Sequence, residues 1–102
     1  MIARTWRGWT TPENADAYQA LLTDEILPRI DAVEGYRGSY VLRRDGAEEV
    51  EFFTVITFAD LDAVKEFAGE EHADAVVPPE ARVLLLRHDE RSRHYDIVHE
   101  PS

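Results

Sequence analysis

The sequence contains no cysteine, and this absence removes several kinds of chemistry at once. Disulfides, thiolate nucleophiles, iron–sulfur clusters and cysteine-ligated zinc all need that residue. Basic residues are also scarce: 11 Lys and Arg stand against 21 Asp and Glu, which leaves a formal net charge of −10. A field of that sign repels phosphate backbones and anionic lipid, so neither nucleic acid nor a membrane surface is expected as a partner.

Long apolar runs and the common nucleotide-binding motifs are missing too. No run approaches the ~18 apolar residues of a membrane span, and the opening MIARTWRGW lacks the apolar region of a secretory signal. We therefore expect a cytoplasmic protein. The sequence contains neither G-x-G-x-x-G, nor G-x-x-x-x-G-K-[ST], nor G-x-S-x-G. It thus carries no dinucleotide, P-loop or serine-hydrolase signature.

The apolar content is that of a folded protein. Hydrophobic residues make up 44% of the 102 residues, and no segment has the composition of a linker, a repeat or a low-complexity tract. This length predicts one domain over residues 1–102.

Hydrophobic periodicity and turn residues predict the order βαββαβ. Thr11 and Pro12 mark the start of a long helix that Pro28 should kink and Gly35 should end. Asp60 should cap a second helix, followed by a short helical piece over 70–77. Residues 79–87 fit a helical face or a buried strand equally. Strands are predicted at 2–9, 36–44, 50–58 and 91–99.

This order is that of the ferredoxin-like α+β fold, an antiparallel sheet with helices on one face. The strand at 50–58 is apolar on both sides, because Phe53 and Val55 alternate with Phe52 and Ile56. A sheet with one solvated face should carry polar residues on that side. We therefore expect the second face to be covered by another copy of the chain.

Four segments, IARTWRGWTTPENADAY, GYRGSYVLRRD, VEFFTVITFADLDAVKEF and RHYDIV, give the sequence a resemblance to a known family. Together they resemble the antibiotic biosynthesis monooxygenases, which are dimeric α+β barrels. The resemblance implies a homodimer whose two sheets face each other, with a cleft between sheet and helices in each subunit. Some members oxidise electron-rich aromatic compounds with O₂ and neither metal nor flavin, others degrade haem, and others have no known activity.

The haem-degrading branch uses an Asn on the first strand, a Trp late in the second helix and a His beyond it. The corresponding positions here are Trp6, Phe67 and Val77, and all three depart from that pattern. The resemblance therefore implies no haem and no other cofactor. It leaves a small hydrophobic aromatic molecule as the expected ligand.

Arg4 and His72 are the candidate catalytic residues. Arg4 and Trp6 share one face of the first strand, where a guanidinium and an indole could hold a phenolate. The alternative is a core Trp, with Arg4 paired to a carboxylate such as that of Asp96. His72 could accept the proton of a phenol, or it could be a solvated side chain on an acidic helix face.

Five further residues complete the predicted cleft. Trp9 could line its mouth or pack against the first helical turn. Tyr36 and Tyr40 should share a face, either lining the cleft or packing across strands. Phe67 is placed among the residues that contact the ligand. Arg82 is the alternative to Arg4 as the residue that stabilises the phenolate anion.

The three histidines other than His72 do not suggest a metal site. His94 and His99 have odd separation on the last predicted strand, so they should point to opposite faces, and His88 precedes that strand. They are expected to lie at the surface and at the sheet edge, so no metal is predicted.

Three functions remain open from the sequence. The first is cofactor-independent oxygenation of a phenol, an anthrone or a polyketide-like aromatic. The second is a ligand-binding or structural dimer without turnover. The third is a cyclase or isomerase that uses the same cleft.

Overall fold

A five-stranded antiparallel sheet with its helices on one face forms the fold, in a computed structural model that describes residues 1–69 and 77–101. Strands β1 to β5 span Ile2–Thr10, Tyr36–Asp45, Val50–Phe58, Leu85–His88 and Arg93–Asp96. Helices α1 to α4 span Pro12–Leu21, Leu27–Ile30, Leu61–Ala68 and Pro79–Arg82, and a π-helical turn, Leu22–Ile26, joins α1 to α2. The predicted ferredoxin-like α+β fold is confirmed.

The strands lie in the order β2-β3-β1, and both β4 and β5 pair with the free edge of β1. β4 pairs with residues 8–10 and β5 with residues 2–5. Residues 89–92 separate the two strands, and there the Asp89 side-chain Oδ2 accepts from the backbone N–H of Arg7 at 3.1 Å while the Asp89 N–H donates to the Arg7 carbonyl at 2.9 Å. The single final strand predicted at 91–99 is therefore shorter than expected. The ambiguous segment 79–87 contains a helix and then a strand.

Side-chain caps fix the starts of α1 and α3, as the sequence predicts. The Thr11 hydroxyl accepts from the backbone N–H of Asn14 at 3.2 Å, and the Asp60 carboxylate accepts from that of Ala63 at 2.9 Å. Each cap satisfies a backbone donor that the first helical turn leaves unpaired. None of the helices in the described ranges is long and apolar enough to cross a bilayer.

The kink predicted at Pro28 takes the form of the π-helical turn. The N–H of Leu27 donates to the carbonyl of Leu22, five residues back instead of four. Proline has no N–H, and its ring would clash with the Asp24 carbonyl in a regular helix, so a wider turn relieves the contact. The helical piece predicted over 70–77 falls mostly outside the described residues.

The two faces of the sheet differ in burial, and a bulge in β2 places Tyr40 on a different face from the predicted one. On β3 the helix-side residues Phe52 and Ile56 are buried, while Phe53 and Val55 on the other side are half-buried. Tyr36 pairs with Phe58, but the register shifts before the next pair. This irregularity reverses the alternation, so Tyr36 lies on the helix side and Tyr40 on the outer side. The prediction that the two tyrosines share a face is wrong.

The core on the helix side contains one hydroxyl without a partner. The Thr10 side chain is fully buried, and in the described part of the chain its Oγ1 forms no hydrogen bond. Replacing Thr10 by valine keeps the β-branched shape and removes the unpaired group. We expect Thr10→Val to raise the free energy of unfolding by about 1–2 kcal/mol in urea denaturation.

The matched control is Thr54→Val in the adjacent strand. The Thr54 hydroxyl is also buried, but it donates to the Trp6 carbonyl at 3.3 Å. Thr54→Val should therefore lower stability by about 1 kcal/mol. Equal effects of the two substitutions would contradict the assignment of Thr10 as unpaired.

Candidate functional site

A cavity of about 60 Å³, partly open to the surface, lies between the sheet and the helices. Its floor is formed by β1 and β3, and its roof by α1, the π-helical turn and α2. Most of its described lining is apolar, and the polar side chains that reach it are those of Arg4, Tyr18, Thr54 and Ser92. The volume is below the ~150 Å³ of a cavity that encloses benzene, so an aromatic ligand must widen the cleft or extend through its mouth.

The Arg4 guanidinium is the one charged group in the described lining of this cavity. Arg4 is 4% exposed, and its Nη1 donates to Nε2 of His94 at 2.9 Å. Arginine has no acceptor, so this contact requires an unprotonated Nε2, with the ring proton on Nδ1. Desolvation by burial lowers the pKa of Arg4 to about 10. At neutral pH the group still carries its charge, in a medium where that charge attracts an anion more strongly than it would in water.

Two aromatic side chains line the same cavity as this charge. The Arg4 guanidinium lies 5.5 Å from the centre of the Phe67 ring, which in turn stacks on Phe58 at 5.9 Å. The Trp6 indole donates from Nε1 to the carbonyl of Asp89 at 2.8 Å, so its orientation is fixed by the segment between β4 and β5. Arg4, Trp6 and Phe67 thus lie together in the cavity wall, as the sequence suggests. The alternative interpretation named Asp96 as a partner of Arg4, but Asp96 lies opposite Ile2, and His94 lies opposite Arg4.

Gly8 makes room for the Trp6 ring. A Cβ at position 8 would lie 2.9 Å from Cδ2 of Leu85 and 3.2 Å from the nearest Trp6 ring atoms. We expect Gly8→Ala to displace the indole, shift the tryptophan fluorescence maximum and cost about 1–3 kcal/mol of stability. Gly38→Ala is the control, because its Cβ would meet only Oγ1 of Thr57 at an ordinary 3.6 Å. A normal emission spectrum for Gly8→Ala would contradict this packing.

Tyr18 reaches the cavity from the roof, which the sequence analysis did not foresee. Its side chain is 1% exposed and packs edge-on against Phe52, with the ring centres 4.9 Å apart. Burial raises the pKa of the Tyr18 hydroxyl above its ordinary range. The available signal was a tyrosine among the apolar positions of the first helix, which periodicity alone assigns to the core.

Three predicted cleft residues lie elsewhere. Trp9 is on the outer face of the sheet, with the Arg87 guanidinium 4.4 Å from its ring centre, so it neither lines the cavity nor packs on α1. Tyr40 is on the same outer face and 65% exposed. Arg82 is exposed at the surface of α4, where its Nε donates to the carbonyl of Val77 at 3.3 Å. The expectation that these three line the cleft is corrected.

The remaining candidate residues are histidines, and they lie in different parts of the chain. His72 lies outside the described residues. His88 packs its ring on Trp6, with centroids 5.5 Å apart, and His94 lies beside Arg4. Within residues 1–69 and 77–101, no three His, Cys, Asp or Glu side chains come close enough together to hold a metal ion.

Among the comparisons with known proteins, only the one with solved structures finds similar proteins, and it identifies the fold. No protein-family profile and no curated protein matches the sequence. A candidate antibiotic biosynthesis monooxygenase from Bacillus cereus superposes with a TM-score of 0.69 at 17% identity, over 100% of this chain and 95% of the other. A protein of unknown function from Nitrosomonas europaea superposes with a TM-score of 0.67 at 20% identity, over 99% of this chain and 92% of the other.

A third similar structure is the haem degrader MhuD of Mycobacterium tuberculosis, with two haems bound in its active site. It gives a TM-score of 0.62 at 15% identity, over 98% of this chain and 99% of the other. The fold is therefore that of the antibiotic biosynthesis monooxygenase type, as the sequence resemblance indicates.

Proposed function

We propose that the cavity binds a small electron-rich phenol and that the protein oxidises it with O₂ without a cofactor. The observation that carries this proposal is the buried Arg4 guanidinium in a cavity whose described lining is mostly apolar and partly aromatic. A desolvated positive charge favours the anionic form of a phenol placed beside it. The Trp6 and Phe67 rings give the flat aromatic walls that such a ligand needs.

Beyond binding and stabilising the phenolate, the proposed reaction needs few groups from the protein. A phenolate is a strong enough reductant to pass one electron to O₂, and the resulting radical pair combines at ring carbon. For an anthrone, the ring CH₂ and O₂ become a C=O group and one water. The protein holds the anion dry, orients it and stabilises its charge.

The proton acceptor in this proposal is His72, as the sequence suggests. Among the described residues His94 lies against Arg4, but its Nε2 already accepts from Arg4 Nη1 at 2.9 Å and can take a proton only if this hydrogen bond breaks. An imidazole at position 72 would take the phenolic proton near neutral pH. Haem is not part of the proposal, because Val77, at the position of the ligating His, lines the cavity and has no atom that binds iron.

We further propose that two chains pair through the outer face of the sheet. This face carries exposed Tyr40 and Leu42 beside half-buried Phe53 and Val55. An apolar sheet face of this kind is covered in stable proteins. Pairing would close the two sheets into a barrel and leave each cavity on the outside, between its own sheet and helices.

Oxygen consumption tests the proposed activity. Metal-stripped protein is mixed with hydroquinones and anthrones, and O₂ uptake is followed with a Clark electrode against protein-free buffer. We expect saturable uptake that a chelator does not reduce. Uptake at the buffer rate, with a ligand bound in the cavity, would instead support the binding protein without turnover.

A further inference from the structure

The hydrogen bond between His94 and Arg4 determines what kind of partner β5 offers to the buried charge of the cavity. His94 lies opposite Arg4 in the β1–β5 ladder and is half-buried. Nη1 of Arg4 donates to Nε2 of His94 at 2.9 Å. A guanidinium cannot accept a hydrogen bond, so the imidazole in this contact is neutral and carries its proton on Nδ1. The acceptor on β5 is therefore a group without charge.

A neutral acceptor affects Arg4 differently from a carboxylate. Buried arginines are usually paired with Asp or Glu, whose negative charge offsets that of the guanidinium. The His94 imidazole satisfies one N–H and does not offset the charge. Desolvation lowers the pKa of Arg4 only to about 10, so the group is positively charged at neutral pH. The contact with His94 thus leaves this charge available to an anion that enters the cavity.

The same contact also restricts the orientation of the guanidinium. The group is planar and has five N–H donors in a fixed arrangement. His94 holds it at Nη1, and the centre of the Phe67 ring lies 5.5 Å from its central carbon. Arg4 and Phe67 both line the cavity. A set of donors that is oriented before binding loses less side-chain entropy when the ligand arrives.

We propose that His94 is a positioning residue that orients the Arg4 guanidinium for an aryl oxyanion and preserves its positive charge. In this role His94 acts through Arg4 and not by contact with the ligand. The role also differs from that of a proton acceptor, because Nε2 is already occupied by the Arg4 donor. The inference rests on the proposed binding of a phenolate at Arg4, but it does not depend on the reaction with O₂.

Three substitutions at position 94 separate the acceptor from the charge. His94→Gln puts an amide oxygen close to the position of Nε2 and keeps a neutral acceptor. His94→Glu has the same shape, but its carboxylate offsets the charge of the guanidinium. His94→Asn carries the same amide as His94→Gln on a side chain one CH₂ shorter, which does not reach Arg4. His99→Asn is the control, because His99 is exposed and lies beyond the end of β5.

Binding of 2,4-dinitrophenol and 2,4-dinitrotoluene is measured by calorimetry at about pH 8, where an ordinary imidazole is neutral. The first probe is a phenolate that O₂ does not oxidise, and the second has a neutral methyl group in place of the phenolate oxygen. We expect His94→Gln and His99→Asn to bind the phenolate within about twofold of wild type. His94→Asn should weaken its binding roughly three- to tenfold, and His94→Glu roughly 10- to 100-fold. None of the substitutions should change the Kd of dinitrotoluene by more than about twofold.

NMR of the unliganded protein tests the contact itself, without any ligand. Long-range ¹H–¹⁵N spectra should show that His94 carries its proton on Nδ1, because the hydrogen bond from Arg4 requires a free lone pair on Nε2. A proton on Nε2 at pH 8 would mean that the contact does not form. That result would overturn the inference, whatever the cavity binds.

The binding results separate this inference from the proposed site. If the wild type binds the phenolate and the three substitutions at position 94 have equal effects or none, His94 does not position Arg4, and the phenolate site stands. Tighter binding by His94→Asn would have the same meaning. If His94→Asn does not fold, the contrast between His94→Gln and His94→Glu decides. If the wild type does not bind dinitrophenol, the inference falls together with the proposed site, whereas absent O₂ uptake leaves it unaffected.

Discussion

Arg4→Met is expected to lower kcat/KM for O₂-dependent oxidation of an anthrone by roughly 100- to 1,000-fold. This is the loss typical of removing one donor from a site that stabilises an oxyanion. Methionine keeps an unbranched apolar stem against the Phe67 ring and removes the charge. Steady-state O₂ uptake gives the rate, and circular dichroism confirms that the variant is folded.

Two further variants test the cause of that loss. Arg4→Lys keeps the positive charge but loses the planar set of guanidinium N–H donors, so it should retain part of the activity. Arg93→Met removes an exposed arginine from the neighbouring strand β5 and should stay within threefold of wild type. An Arg4→Met protein within threefold of wild type would contradict the role of the guanidinium.

The second large effect is expected at the outer face of the sheet. The double variant Tyr40→Glu, Leu42→Glu places two carboxylates per chain on a face that we propose to be buried between copies. Since the chain already carries a net charge of −10, the dimer should dissociate with a Kd raised at least ~100-fold. Sedimentation velocity over a range of micromolar concentrations measures this change.

Both substituted side chains are exposed in the single chain, so the fold of the monomer should tolerate them. Val83→Glu is the control, because Val83 is an exposed apolar residue just after α4 rather than on the sheet. It should leave the dimer intact. A wild-type protein that sediments as a monomer at tens of micromolar would contradict the barrel, whose interface should bury ~2,000 Å² or more.

The helix starts and the strand faces were predicted correctly because they depend on residues close together in the sequence. The capping side chains Thr11 and Asp60 start the helices as expected, because a cap depends on only a few neighbouring residues. The two-sided apolar pattern of β3 also gives the correct faces, since alternation along one strand is fixed by the pleat. Arg4 and Trp6 reach the cavity for the same reason.

The errors come from features that depend on how distant segments pair. The irregularity after Tyr36 reverses the alternation of β2 and moves Tyr40 to the outer face. Gly38, a glycine inside a strand pattern, is the sequence signal of a bulge there, and the prediction of a regular strand overlooked it. The contact between Arg4 and His94 exists because β5 pairs antiparallel with the start of β1, 90 residues away along the chain. The position of Tyr18 in the cavity wall depends on a cavity that forms only when helix and sheet pack.

Incorporation of labelled oxygen tests the central claim most directly. Metal-stripped protein and an anthrone are allowed to react under ¹⁸O₂, and the quinone product is analysed by mass spectrometry over time. We expect one ¹⁸O atom in each product molecule, formed at a rate proportional to wild-type protein and lost in Arg4→Met. Formation of labelled product no faster than in protein-free buffer would contradict the assignment of this cavity as an oxygenase site.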